Sequence, residues 1–283
     1  MNLRPSDYQT IRLIESPPAN ASYNMAVDEA LLLLHTANRK PNTANRIISE
    51  LPILRFYTFS PPAITIGRFQ KVENMELYNG INVVRRITGG RAILHDGDIT
   101  YSLVIEVNHP FLSGNPLEGY KKISLLFIDA LNSLGVEAQL IRINRNPQTA
   151  NRKPQTAKNP GCFSSVSRYE LQVQGKKVLG SAQKRQNGVI LQQGSLMINS
   201  KSSRHSGIPK KAGQPPIPNW NQIGLSEILG RKIEIEEILI SIKKVIKNMG
   251  IKIVNSTITE QEKELTNTLI PHYSIGNPEE SRV

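Results

Sequence analysis

Between residues 10 and 200 this chain is written mostly in short apolar runs with a period of two, and only two stretches carry a helical period. Runs of four to nine residues separated by Gly, Pro, Asn or Asp are strand signals, whereas helices need a longer apolar stripe spaced by three and four. The strand-like runs are 11–15, 53–59, 63–67, 82–86, 91–95, 100–107, 136–143 and 189–198. Residues 169–178 read as a hairpin turning at Gln174-Gly175, because a tight hairpin turn demands positive φ and Gly supplies it. The first helical stretch is capped by Asn20 or Ser22 and runs to about Leu34, with Ala26, Ala30, Leu31 and Leu34 on one face. The second covers 117–134 and stops at Gly135, a natural C′ residue. Strands thus outnumber helices and are joined by short turns. The expected fold class is α+β, a mixed α/β domain on one sheet with flanking helices, and not a doubly wound parallel sheet.

Past the Pro-rich stretch 207–218 the pattern changes. Residues 234–249 form an amphipathic helix ended by Gly250, and Thr259-Glu-Gln-Glu262 is a capping box before a helix that breaks at Pro271. Residues 224–275 are therefore expected as a small, mainly helical C-terminal appendage, with 276–283 a frayed tail. Two polar segments echo each other, near 36–46 and 144–160, and both contain Thr-Ala-Asn-Arg-Lys-Pro. Neither has an apolar face to stack on a neighbour, so they read as loop insertions and not as a structural repeat.

Composition narrows the function classes. The 283 residues hold 35 Lys+Arg against 23 Asp+Glu, a net charge of +12, which favours polyanions or acidic proteins as partners. The cations are spread along the chain instead of gathered into one arm, and aromatics are only 5%, which argues against a base-stacking surface. The single cysteine, Cys162, excludes an intrachain disulfide or a multi-cysteine zinc site. No apolar run reaches membrane-spanning length, and Met1–Thr10 lacks the apolar core of a secretory signal, so a cytoplasmic location with no membrane partner is expected.

Three stretches carry chemistry. Arg85 and Arg86 precede a Gly89-Gly90 turn that continues through Arg91 to His95. Such a turn lets backbone N–H groups approach an anion or an acyl carbonyl, although a hairpin with solvated arginines and a packed histidine fits the same pattern. Cys162 follows Pro160-Gly161 at the end of a polar loop, an unusual place for a core residue and a suitable one for an accessible thiol. The third stretch is Gly175-Lys176-Lys177-Val-Leu-Gly180-Ser181-Ala182-Gln183-Lys184-Arg185, followed by Gln192-Gln193-Gly194-Ser195-Leu196. Strand alternation turns one of the two lysines inward, which is costly unless it meets an anion or a polar substrate; both can equally be solvated at a turn.

Order and spacing together resemble one family. Asn24-Met-Ala-Val-Asp28-Glu29-Ala-Leu-Leu, then Arg85-Arg-Ile-Thr-Gly-Gly-Arg-Ala-Ile-Leu-His95, then the lysine stretch and Gln-Gln-Gly-Ser-Leu resemble the biotin/lipoate protein ligase superfamily over most of residues 10–230. Within it the chain is more similar to the cysteine-dependent octanoyltransferases. Their Cys-Phe-x-Ser/Pro-x-Ser-x-Tyr-Glu-Leu setting is matched from Cys162 to Leu171, with Val166 where proline is common. Ligases of the superfamily read Gly-Gly-Gly-Ala where this chain has Gly90-Arg91-Ala92, and they lack the cysteine.

The resemblance implies a catalytic domain over 10–223 that moves an octanoyl group from octanoyl-acyl carrier protein to a lysine of the glycine-cleavage H protein or an E2 lipoyl domain. It implies Cys162 as nucleophile and Lys177, fifteen residues on, as the cation that lowers the thiol pKa. Substrate contacts are expected from Arg85, Gly89, Gly90, Arg91, His95, Gly180 and Ser181, with no metal and no cofactor. Thioester exchange is nearly isoenergetic, so the first half needs no ATP, and amide formation then runs downhill. About six buried methylenes at ~0.8 kcal/mol each contribute roughly 5 kcal/mol to holding the chain. The alternatives are an ATP-dependent lipoate ligase, which tolerates loss of Cys162, and a non-catalytic nucleic-acid-binding protein on the same fold, although no nucleic-acid partner is expected.

Overall fold

The computed structural model describes residues 10–37, 51–70, 81–112, 116–140, 171–199 and 223–273. Both polar insertions, Cys162 and the final segment lie outside them, apart from Thr36 and Ala37 at a helix end. Strands β1 (Thr10–Glu15), β2 (Ile53–Tyr57), β6 (Asp98–Glu106), β7 (Gln139–Leu140), β8 (Leu171–Val173), β9 (Lys176–Gln186), β10 (Val189–Met197) and β11 (Lys252–Ser256) form an eight-stranded sheet. Its order is β11-β1-β2-β6-β10-β9-β8-β7, with β1 parallel to both β11 and β2 and the other pairs antiparallel. A second, three-stranded sheet sets β3 (Ala63–Ile66) between β4 (Asn82–Arg85) and β5 (Ile93–His95). The mixed α/β architecture is the expected one.

Helices cover both faces of the large sheet. On one side α2 (Pro116–Ser133) and α4 (Ile235–Asn248) bury Phe127, Leu131, Ile238 and Ile242 against Leu54, Tyr101, Leu103 and Ile190 of the strands. On the other, α1 (Ala21–Ala37) packs Val27, Leu31 and Leu32 onto Ile14, Ile53, Val104 and Leu191. Asn20 is the cap of α1, its Oδ1 accepting the Tyr23 N–H at 2.9 Å. Ser22 instead sits inside the helix and donates to the carbonyl of Tyr273. The two glycines read as helix stops both close Schellman motifs. Val136 N–H reaches the Leu131 carbonyl beside Gly135, and Ile251 N–H reaches the Ile246 carbonyl beside Gly250.

The C-terminal segment is joined closely to the rest of the fold. A short helix α3 (Leu225–Leu229), α4 and α5 (Glu260–Leu269) make it mainly helical, but β11 extends the large sheet and α4 shares its core. Arg12 of β1, 2% exposed, donates to Glu262 Oε2 at 2.8 Å and to the Thr257 carbonyl. Glu262 also completes the capping box with Thr259 that the sequence predicts. The physical reason is simple: the apolar face of α4 has only the main core to bury against.

Candidate active site

One cleft gathers side chains from both sheets and from α1. Met25 of α1, Tyr57 of β2, Thr65 of β3, His95 of β5 and Gln193 of β10 face it, and Gly180 to Ala182 of β9 close one side. Beneath it lies a fully buried ion pair. Arg55 Nη1 meets Asp28 Oδ1 at 2.8 Å, and both side chains are 0% exposed. Ser102 donates to the same oxygen, while Tyr57 and Gln193 each donate to Oδ2 at 2.7 Å. Burial, and then the neighbouring Asp28 carboxylate, hold the Tyr57 phenol well above its ordinary pKa, so it remains a donor. A buried carboxylate is tolerable only when paired and fully hydrogen-bonded, and this one is both.

The Gly-Gly turn rests on that floor. Thr88 donates to Gln193 Oε1 at 2.7 Å, so a single glutamine ties the turn to Asp28. Arg86, 4% exposed, staples the turn from within: its Nη2 donates to the carbonyls of Gly89 and Arg91, and its Nη1 to the carbonyl of Thr65. Gly90 lines the cleft at φ 92°, a conformation that favours glycine. Gly67 is required for another reason, because a Cβ there would stand 2.0 Å from the Gly90 carbonyl oxygen. Arg85 turns the other way at the end of β4 and donates to the carbonyls of Gly67, Arg68 and Gln70. Of the arginine pair it is therefore Arg86 that reaches the cleft, and Arg85, Gly89 and Arg91 do not line it.

The lysine stretch is resolved by a β-bulge. Gln174 (φ 49°) and Gly175 (φ 73°) form the two-residue turn, which the type I′ geometry of a tight hairpin requires. Gln172 then pairs with Lys177 but Leu171 pairs with Leu179, so Val178 is the extra residue. Val178 and Leu179 both enter the apolar core with Leu171 and Val173. Lys177 shares the opposite face with Gln172, which is the face carrying Ala182 and Gln193. Lys177 is 4% exposed, and Lys176 points to solvent.

Gly180 and Ser181 line the cleft, with the Ser181 hydroxyl 2.9 Å from the Tyr101 hydroxyl. That phenol also accepts from Gln192, and burial pushes its pKa up to about 12. Gly194 makes the contact possible, since a Cβ there would lie 2.3 Å from the Tyr101 ring. His95 faces the cleft with both ring nitrogens engaged, Nδ1 by Asp98 at 2.8 Å and Nε2 by Thr65 at 2.9 Å. Phe59 stacks on the ring, centroids 3.9 Å apart.

Thr65 and Asp98 belong to the site without being marked by the sequence, whereas Arg86 and Gln193 stand in the motif stretches, which assign them no substrate contact. A threonine in a strand and an aspartate at the first position of one carry no local signal. The one available cue was strand alternation, which sets neighbouring Arg85 and Arg86 on opposite faces. Among the described residues, no cluster of His, Cys, Asp and Glu could hold a metal ion, and no helix is long and apolar enough to cross a membrane.

The lipoyl protein ligase A/B catalytic domain family matches residues 20–247. A Brevibacillus brevis protein named Octanoyltransferase LipM is 34% identical over 92% of this chain and 94% of its own. A protein of the same name from Moorella thermoacetica is 32% identical over 95% of this chain and 97% of its own. Among solved structures, a lipoate-protein ligase A bound with ATP covers 93% of this chain and 94% of that one, with a TM-score of 0.67 at 22% identity, a likeness of fold.

Proposed function

This chain belongs to the lipoyl protein ligase A/B catalytic domain family, and on that premise we propose that it is an acyltransferase acting in protein lipoylation. It takes an octanoyl group from octanoyl-acyl carrier protein and places it on a lysine of the glycine-cleavage H protein or an E2 lipoyl domain. The observation that carries this reading is the near-full-length similarity to proteins named octanoyltransferase. The ligase alternative is not favoured.

The sequence around Cys162 supports a thiolate nucleophile that attacks the donor thioester and holds the acyl group. Lys177, inward on the cleft face of β9, supports the role of a cation that favours that thiolate. The acyl chain lies beside Gly90, Ile93 and Met25, apolar surface that selects a medium chain coarsely, since one methylene is worth only about 1–3 kcal/mol. The net charge of +12 supports steering of acidic carrier and acceptor domains. Catalysis in the cytoplasm follows from such partners.

The test is intact mass spectrometry after mixing the enzyme with octanoyl-acyl carrier protein, without nucleotide or metal. One octanoyl adduct is expected, and Cys162→Ala should lose both adduct and transfer while its circular dichroism is unchanged. Wild-type transfer by Cys162→Ala, or a strict requirement for ATP, would restore the ligase reading.

A further inference from the structure

The cleft wall contains a chain of contacts that acyl transfer through a cysteine leaves unused. Thr65 Oγ1 lies 2.9 Å from His95 Nε2, and His95 Nδ1 lies 2.8 Å from Asp98 Oδ2. The three residues come from β3, β5 and β6 and are 1%, 3% and 4% exposed. Thr100 and Ser195 donate to the same Asp98 oxygen at 3.0 and 2.6 Å. Burial pushes the Asp98 carboxyl up, but the His95 charge and these hydrogen bonds more than offset it and hold it below the ordinary carboxylate range. Arg86 Nη1 reaches Thr65 Oγ1 at 3.1 Å, so among the described residues Asp98 and Arg86 are the charged groups facing the histidine, and the stacked Phe59 is neutral.

Proton accounting gives these bonds a direction. An ionised Asp98 only accepts, so Nδ1 carries a proton. Thr65 accepts from Arg86 and has one proton of its own, which Nε2 can receive whenever that nitrogen carries none. Carboxylate, imidazole and hydroxyl in that order are the arrangement by which an imidazole is oriented as a base.

We propose that Asp98, His95 and Thr65 form a proton relay that deprotonates the acceptor lysine in the second half of the transfer, an inference that rests on the octanoyltransferase reading. An amine of ordinary pKa near ~10.4 arrives as an ammonium ion and has no lone pair to attack with. One of its protons passes to Thr65 Oγ1 while the threonine proton passes to His95 Nε2, and Asp98 balances the imidazolium. The new N–C bond forms at the acyl carbonyl. Collapse of the adduct breaks the C–S bond, sulfur leaves with that electron pair, and the second amine proton ends on the thiolate. His95 then returns its proton to water, so the sum is acyl-enzyme plus ammonium giving amide, free thiol and one proton. Thr65 is the catalytic contact; His95 and Asp98 act through it as positioning and proton-holding residues.

The test separates the two halves. Enzyme is loaded from octanoyl-acyl carrier protein and quantified by intact mass, then mixed with excess acceptor protein in a single turnover. In His95→Gln and Thr65→Val, transfer should fall about 10²–10⁴-fold relative to loading, the range of one general base, and Thr65→Ser should restore most of it. The acid limb of the wild-type transfer profile should disappear in His95→Gln. Equal losses in loading and transfer mean a structural role only and overturn the relay, as does an unchanged acid limb. A wild-type enzyme that takes up no octanoyl group overturns the octanoyltransferase reading and the relay with it.

Discussion

Removing the carboxylate under the cleft should cost more than any other single change near the site. In Asp28→Ala, Arg55 is left as a buried cation at 0% exposure, and the donors of Tyr57, Ser102 and Gln193 lose their acceptor. Breaking a buried pair by deleting one partner costs about 3–5 kcal/mol, a large share of the roughly 5–15 kcal/mol that holds a typical domain together. The Arg55 guanidinium keeps bonds to Asn24 and Ser16, so the lower half of that range is the better expectation. With a urea slope near ~3 kcal/mol per M for a chain of this size, the midpoint should fall by roughly 1 M. The double variant Asp28→Ala/Arg55→Met should recover a good part of the loss, because the stranded charge goes with its partner. Equilibrium urea unfolding followed by circular dichroism measures all three proteins. A midpoint shift below about 0.3 M for Asp28→Ala, or a double variant no more stable than that single one, would refute the view that charge desolvation governs this site.

Two other outcomes follow from the geometry. Lys177→Ala should move the pH profile of Cys162 alkylation upward by about 1–3 units, whereas Lys176→Ala, pointing to solvent, should leave it in place. A shift produced by Lys176 alone would reverse the assignment of the two lysines. His109 follows β6 and accepts the Phe111 N–H at 3.2 Å, and burial lowers its pKa from 6.5 to about 4. The unfolded chain therefore binds this proton first as the pH falls, so the stability it carries is present above about 6.5 and lost on descent to about 4. Stability measured from pH 7 to 4 should decline less steeply in His109→Phe than in the wild type, and parallel profiles would exclude the histidine as a source of acid sensitivity.

What the sequence determined by itself is local. Period-two runs and turn residues are legible because a strand or a tight turn is dictated by neighbours a few residues apart, and β1, β6, β10 and the Gln174-Gly175 turn appear where the pattern puts them. Capping is equally local, which is why Asn20, Thr259, Gly135 and Gly250 end helices as expected. Strand β11 was missed because a short, half-buried edge strand has no period of its own until β1 pairs with it. The lysine pair marks the boundary of what could be read. Alternation states that one lysine turns inward, but the choice of Lys177 depends on the bulge at Val178, set by Val178 and Leu179 both finding room in the core. The site was decided by tertiary structure for the same reason. Asp28 meets Arg55 and Gln193, and Thr65 meets His95 and Asp98, across strands that are neighbours only after the sheets assemble. A residue type announces which bonds it can make; only packing decides which partner stands within 3 Å of it.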